Sequence, residues 1–206
     1  MALTPLDPWE ALWAPYDEAT YAAVLAGVAP DDVVLDIGAG DLRLARRLAG
    51  RVRRVIAWEI NPDLLAAAAA QGPFPANLLA VAADARRAAL PPDLTAAVLL
   101  MRHCTPAHYA LYTARLRAAG CRRLITNARW RMGVEVIDLA PALPLESAPP
   151  GWYTCRRCGA IGFLPPELVD DGAAAVDRVT DVEGCPSCLI EREGIPCSFR
   201  TSGLLS

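Results

Sequence analysis

The nine residues Val33-Val34-Leu35-Asp36-Ile37-Gly38-Ala39-Gly40-Asp41 constrain this chain more than any other stretch. Val33 to Ile37 is a short apolar run of the kind found in strands buried on both faces of a parallel sheet. A glycine turn follows at once, and then Leu42, Leu44, Ala45 and Leu48 recur at helical spacing until Gly50. A strand that passes through a tight turn into a helix is the first half of a βαβ unit.

The rest of the first 140 residues repeats that pattern. Asp17 to Ala26 reads as a helix before the first strand. Val55 to Glu59 is a second strand, and Asn61-Pro62 supplies a cap and a first position for a helix ending at Gly72-Pro73. Leu78 to Ala82 and Ala96 to Met101 are a third and fourth strand. Thr105-Pro106 caps another helix, which stops at Gly120, and Leu124 to Thr126 and Val134 to Leu139 complete the set. Such alternation predicts an α/β fold: a Rossmann-like, doubly wound, mostly parallel sheet with helices on both faces. From Pro141 the texture changes, with prolines 141, 144, 149 and 150 close together. The expected division is an α/β domain over 1–145 and a small cysteine-bearing module over 146–206.

Composition narrows the partners. All 20 basic residues are arginine, and the net charge is -3. Residues 1–149 carry 15 acids and 15 arginines, and residues 150–206 carry 8 acids and 5 arginines. Neither part has the basic excess that non-specific nucleic-acid binding requires. The arginines at 43, 46, 47, 51, 53 and 54 are expected on the solvated face of one helix and its following loop. No apolar run is long enough to span a membrane, and the N-terminus lacks a secretory pattern, so a cytoplasmic setting is expected.

The chemistry-bearing residues fall at strand ends. Asp36 precedes Gly38 and Gly40, Glu59 ends the second strand, and Asp84 follows the third. Glycine lets a backbone turn tightly and lets a ligand approach it. A carboxylate ending the second strand suits a ribose diol, and ligands of such sheets lie outside the carboxyl ends of the strands. This order, acid-x-Gly-x-Gly with two later acids, resembles the class I S-adenosylmethionine-dependent methyltransferase family over about residues 17–139. The resemblance implies that Gly38 and Gly40 cradle the methionine part of the cofactor, that Glu59 holds the ribose hydroxyls, and that Asp84 meets the adenine. It implies that Asp36 orients the turn or reaches the amino group through water. The family's third glycine falls at Leu42 here. Lack of the dinucleotide Gly-x-Gly-x-x-Gly pattern weighs against a nicotinamide-dependent oxidoreductase.

Methyl transfer needs a positioned nucleophile and, where that nucleophile carries a proton, a base. The place to look is Leu99 to Pro106. Amide-nitrogen and adenine methylases of the family carry Asn/Asp-Pro-Pro-Tyr/Phe there, which this chain lacks. His103 is the candidate general base or substrate contact, ahead of His108 and Cys104. Asn127 and Trp130 are expected to border the acceptor pocket, with Tyr16 and Trp13 closing it from the N-terminal side.

Cys155-x-x-Cys158 and Cys185-x-x-Cys188 have the spacing of paired zinc knuckles. Four thiolates leave no open position, so structural Zn2+ is expected. Cys197 is read as a packing cysteine, and residues 194–201 as a candidate strand, so the module is either a tail or an insertion before a last strand of the main sheet. Together these readings predict an S-adenosylmethionine-dependent methyltransferase whose acceptor is a macromolecule, protein or RNA. The alternative is a methyltransferase-fold protein without turnover that uses its zinc module as a docking surface.

Overall fold

The computed structural model describes residues 15–129, 133–139, 142–165 and 179–190. The chain divides into two units, Met1–Ala140 and Pro141–Ser206.

The first unit runs α1 (Glu18–Ala26), β1 (Val33–Ile37), α2 (Arg43–Ala49), β2 (Arg54–Glu59), α3 (Pro62–Ala70), β3 (Leu78–Ala82), β4 (Ala96–Leu99), α4 (Pro106–Ala118), β5 (Arg123–Thr126) and β6 (Glu135–Asp138). Its six strands form one sheet in the order β3-β2-β1-β4-β5-β6. All neighbours are parallel except β5 and β6. The mostly parallel, Rossmann-like sheet expected from the strand–helix alternation is therefore present. Strand β6 runs antiparallel to β5, with Arg123 opposite Asp138 and Thr126 opposite Glu135.

The fourth strand ends at Leu99, earlier than the apolar run suggests, and Leu100–Cys104 leave the sheet as a loop. Side-chain alternation assigns the two faces. Val34, Ala57 and Val98 pack with Tyr21, Val24, Leu44 and Leu48 on one face. Leu35, Ile56, Leu99, Tyr109, Tyr112 and Leu116 form the other. Helix starts obey local chemistry: Asp17, Asn61 and Thr105 each accept a backbone amide from the first turn. Helix α2 has no such cap, and it starts after Leu42, which sits at φ +62° with its side chain fully buried.

At the amino end of the sheet, the buried Asp32 carboxylate gathers the Ala29 amide, the Thr95 hydroxyl and the Arg123 guanidinium at 2.6–2.7 Å. This fixes the starts of β1 and β5 on the side of the sheet away from the glycine turn. Among the described residues no helix is long and apolar enough to cross a membrane.

The second unit holds a three-stranded sheet, β8-β7-β9, from β7 (Gly151–Cys155), β8 (Ile161–Leu164) and β9 (Val179–Val182), with α5 (Pro186–Ile190) after it. A 3-10 turn at Leu145–Ser147 precedes them. Leu143 exchanges backbone hydrogen bonds with Asp181 and Glu183 beside β9. Among the described residues its core is Tyr153, Cys155, Val182, Cys185 and Cys188. Residues 194–201, read as a candidate strand, lie outside the described residues.

Candidate functional site

Strand order reverses direction of growth at β1, which pairs with β2 on one side and β4 on the other. At such a switch point the loops leaving the two strands part and open a crevice. The sequence-predicted acids Asp36, Glu59 and Asp84 come from β1, β2 and the loop after β3, at this carboxyl edge.

The glycine turn is built from backbone. Gly38 and Gly40 adopt φ +72° and +57°, which side chains resist. The amides of Gly38 and Ala39 both donate to the Trp58 carbonyl, at 2.8 and 2.9 Å. A Cβ on Gly38 would stand 3.4 Å from Met101 Cε, in ordinary contact with the loop after β4. The turn and that loop therefore face each other across the crevice.

Glu59 has a role that its position in sequence does not reveal. One carboxylate oxygen accepts the Gly40 amide at 2.7 Å, and the other accepts the Asn61 amide at 2.8 Å. A carboxylate offers about four acceptor positions, so two remain for a ligand. Asp84 is held by its neighbour Arg86, whose amide and Nε donate to Oδ1 at 2.9 and 2.8 Å and whose Nη2 donates to Oδ2 at 3.1 Å. These donors keep the Asp84 carboxyl below its usual range, the Arg86 side chain acting most. The contribution of Arg86 was missed in the sequence, although an arginine two residues after a strand-end aspartate is the available signal.

Asp36 differs from both. It is 2% exposed, and its Oδ2 has no hydrogen-bond partner. Burial, followed by the charge of Glu59, pushes its carboxyl up to about 7. A buried carboxylate oxygen without a donor beside a glycine turn fits a ligand that brings positive charge or an N–H group.

On the acceptor side, Asn127 is buried, and its Oδ1 accepts the Met101 amide at 3.1 Å, pinning the loop after β4. His103 is exposed on that loop. His108 lies in the first turn of α4, its amide donating to Thr105 Oγ1. Burial pushes the Cys104 thiol up to about 12, so it stays protonated at neutral pH and is a poor nucleophile. Arg102, not singled out in the sequence, lies 4.2 Å over the Tyr16 ring and donates to the Pro15 carbonyl at 3.2 Å. Tyr16 thus reaches the loop after β4. Trp13 and Trp130 lie outside the described residues.

In the second unit, the sulfurs of Cys155, Cys158, Cys185 and Cys188 lie within 4.8 Å of one another. The Cys155–Cys188 and Cys158–Cys185 separations are 3.8 and 3.7 Å. A tetrahedral ion with about 2.3 Å bonds to sulfur separates its ligands by about 3.8 Å, so the cluster has the dimensions to hold a metal. The Cys185 amide donates to Cys155 Sγ at 3.2 Å, and Gly159 closes the first knuckle at φ +74° with its amide on the Cys155 carbonyl. Burial opposes ionisation of Cys155, but the amides of Cys158, Arg157 and Cys185 outweigh it and hold the thiol below its usual value. Cys197 lies outside the described residues.

No protein-family model matches the chain. The chain is 35% identical over 167 residues to ribosomal RNA small subunit methyltransferase A of Thermobifida fusca (strain YX), a match covering 74% of this chain and 58% of that protein. The similarity is to a methyltransferase, in agreement with the family resemblance read in the sequence. It spans little more than half the length of this relative. Similar solved structures include the 23S rRNA methyltransferase ErmE, with a TM-score of 0.47 and 29% identity over 54% of this chain and 46% of that one. Magnesium protoporphyrin IX methyltransferase from Synechocystis PCC 6803, solved with bound SAH, has a TM-score of 0.45 and 20% identity over 52% of this chain and 53% of that one. Precorrin 8w decarboxylase of Methanobacterium thermoautotrophicum has a TM-score of 0.48 and 22% identity over 56% of this chain and 65% of that one. The glycine turn and the three acids lie on the first unit, and the four cysteines lie on the second.

Proposed function

We propose that this protein is an S-adenosylmethionine-dependent methyltransferase with a macromolecular acceptor, RNA ahead of protein. The observation that carries the reading is the carboxyl-edge arrangement: a glycine turn at positive φ, braced by Glu59, beside a buried Asp36 oxygen with no donor of its own. Gly38 and Gly40 would lie against the methionine part of the cofactor. The free acceptor positions of Glu59 would take the ribose hydroxyls, and that of Asp84 the adenine amino group. Asp36 would offer its oxygen toward the cationic amino end. When bound, S-adenosylmethionine supplies an electrophilic methyl group on a sulfonium. The chain supplies position, which lowers most of such a barrier. His103, exposed on the loop that Asn127 holds in place, is the proposed acceptor contact or general base.

The choice of RNA is supported by what the 35%-identical relative is named for, ribosomal RNA small subunit methylation. The four-cysteine site is proposed to bind a structural Zn2+, in keeping with the sulfur separations of 3.7 and 3.8 Å. Four reduced thiolates agree with a cytoplasmic setting.

Calorimetric titration of the folded, zinc-loaded protein with S-adenosylhomocysteine tests the cofactor reading. Micromolar binding that weakens at least tenfold in Glu59→Ala is the expected result; absence of binding removes it. Incubation of cell RNA and protein fractions with methyl-labelled cofactor then tests the acceptor. Label in RNA is expected, label in protein reassigns the acceptor, and label in neither leaves a cofactor-binding docking protein.

A further inference from the structure

Two carboxylates lie at the floor of the crevice, and only one of them is provided for. Glu59 accepts two backbone amides. Asp36 shares a sheet face with Val34, Ala57 and Val98, its Cα partners across the ladders being Ala57 and Val98. It is buried among apolar side chains, and its Oδ2 has no donor. Two like charges in so dry a place do not both persist without a counter-ion.

Among the described residues, the elements around Asp36 supply no such counter-ion. From β2 comes Glu59, a like charge. From β4 and β5 come Val98, Leu99, Ile125 and Thr126, none ionisable in this range. From α1 comes Tyr21, whose hydroxyl already accepts the Tyr16 amide. At the start of α2, Asp41 is paired with Arg43 at 3.0 Å. In the loop after β4, Arg102 lies over Tyr16 and donates to Pro15.

We propose that Asp36 holds a proton in the ligand-free protein and releases it to solvent when the ammonium-bearing end of the cofactor comes to lie beside it. The proposal rests on the S-adenosylmethionine reading of this crevice. The O–H bond of Asp36 breaks, its proton passes to water or buffer, and the ligand's positive charge takes the place of that proton; no electrons are transferred. Cofactor binding is then linked to proton release, and affinity rises with pH until Asp36 is ionised without help. Burial and the Glu59 charge place that point near 7. A neutral acid in the free protein also avoids a buried unpaired charge while the crevice is empty of cations.

The test is calorimetric titration with S-adenosylhomocysteine at pH 6 and pH 8.5, each in two buffers of different ionisation heat, for the native chain and Asp36→Asn. At pH 6 the native chain is expected to release close to one proton per ligand bound, and at pH 8.5 almost none. Its affinity should rise about tenfold per pH unit up to about 7 and then level. Asp36→Asn, which carries the ligand's own titration as a control, should lack this step. Binding with buffer-independent heats at pH 6 overturns the proposal and leaves the cofactor reading standing. So does equal release in the variant. No binding by the folded native chain at either pH overturns both.

Ligand-free urea unfolding gives a second readout that does not depend on the variant's fold. An acid whose folded pKa is raised costs stability as pH climbs from its unfolded value through its folded one. Native-chain stability should therefore fall between about pH 4.5 and 7.5, and a flat profile overturns the proposal.

Discussion

The Glu59 carboxylate closes on the Gly40 amide at 2.7 Å, from the end of one strand to the turn that follows its neighbour. Its other oxygen takes the Asn61 amide at 2.8 Å, so a single side chain braces the turns before α2 and α3. Glu59→Ala leaves two amides without this charged acceptor. Bonds to charged groups contribute about 1.5–3 kcal/mol each, so a loss of about 3–6 kcal/mol is expected. Glu59→Gln keeps one acceptor oxygen and should lose less than Glu59→Ala. Urea unfolding of the three proteins checks the order.

Leu42 stands where the family's third glycine falls, at φ +62° and fully buried. Its left-handed backbone costs about 1–2 kcal/mol, offset by a packed leucine side chain. Leu42→Ala should cost about 2–4 kcal/mol through the cavity it leaves, with the backbone strain retained. Leu42→Gly removes the strain along with the side chain. It is expected to be no less stable than Leu42→Ala, the reverse of the usual alanine-over-glycine order inside elements. Thermal denaturation of the two variants decides it.

Asp32 sits at the opposite end of the sheet from the glycine turn. Burial would raise its carboxyl, but the Ala29 amide, Thr95 and Arg123 outweigh burial and hold it below the usual aspartate value. A carboxyl with a lowered folded pKa adds stability above its unfolded value, near 4, and loses it as pH falls through the folded one. Asp32→Asn should cost about 3 kcal/mol at pH 7, and the gap to the native chain should narrow below about pH 4. Urea unfolding at pH 7 and pH 3 measures both.

Among the described residues, the second unit has a core of five buried residues, three of them cysteines. A core that small is not expected to hold without an ion. One zinc per chain is expected by elemental analysis. Cys185→Ser, or a strong chelator, should remove it and collapse the near-ultraviolet signal of Trp152 and Tyr153 while S-adenosylhomocysteine binding by the first unit persists. Zinc-free protein with an unchanged signal would count against a structural metal.

Much of this molecule was legible in order of sequence because its signals are local. Buried parallel strands are near-continuous apolar runs, as Val33–Ile37 is. Asp17, Asn61 and Thr105 cap helices through bonds two or three residues away. The cysteine knuckles are short-range as well, since two intervening residues let both sulfurs of a pair face one point. The same logic misjudged the length of β4, because an apolar run continues past Leu99 whether or not a neighbouring strand is there to pair with it.

What the chain order could not decide depends on which strand lies beside which. The sheet order sets Glu59 against Gly40, 19 residues away, and Arg123 against Asp32, 91 residues away. It also leaves Asp36 with a like charge nearby and no donor on Oδ2. The sequence by itself determined the elements, the turn chemistry and the cysteine spacing, because backbone sterics and hydrophobic period act over a few residues. Only the tertiary structure decided the direction of β6, the left-handed Leu42 and the different surroundings of three similar carboxylates, because burial and hydrogen-bond partners are properties of the packed neighbours and not of the residue.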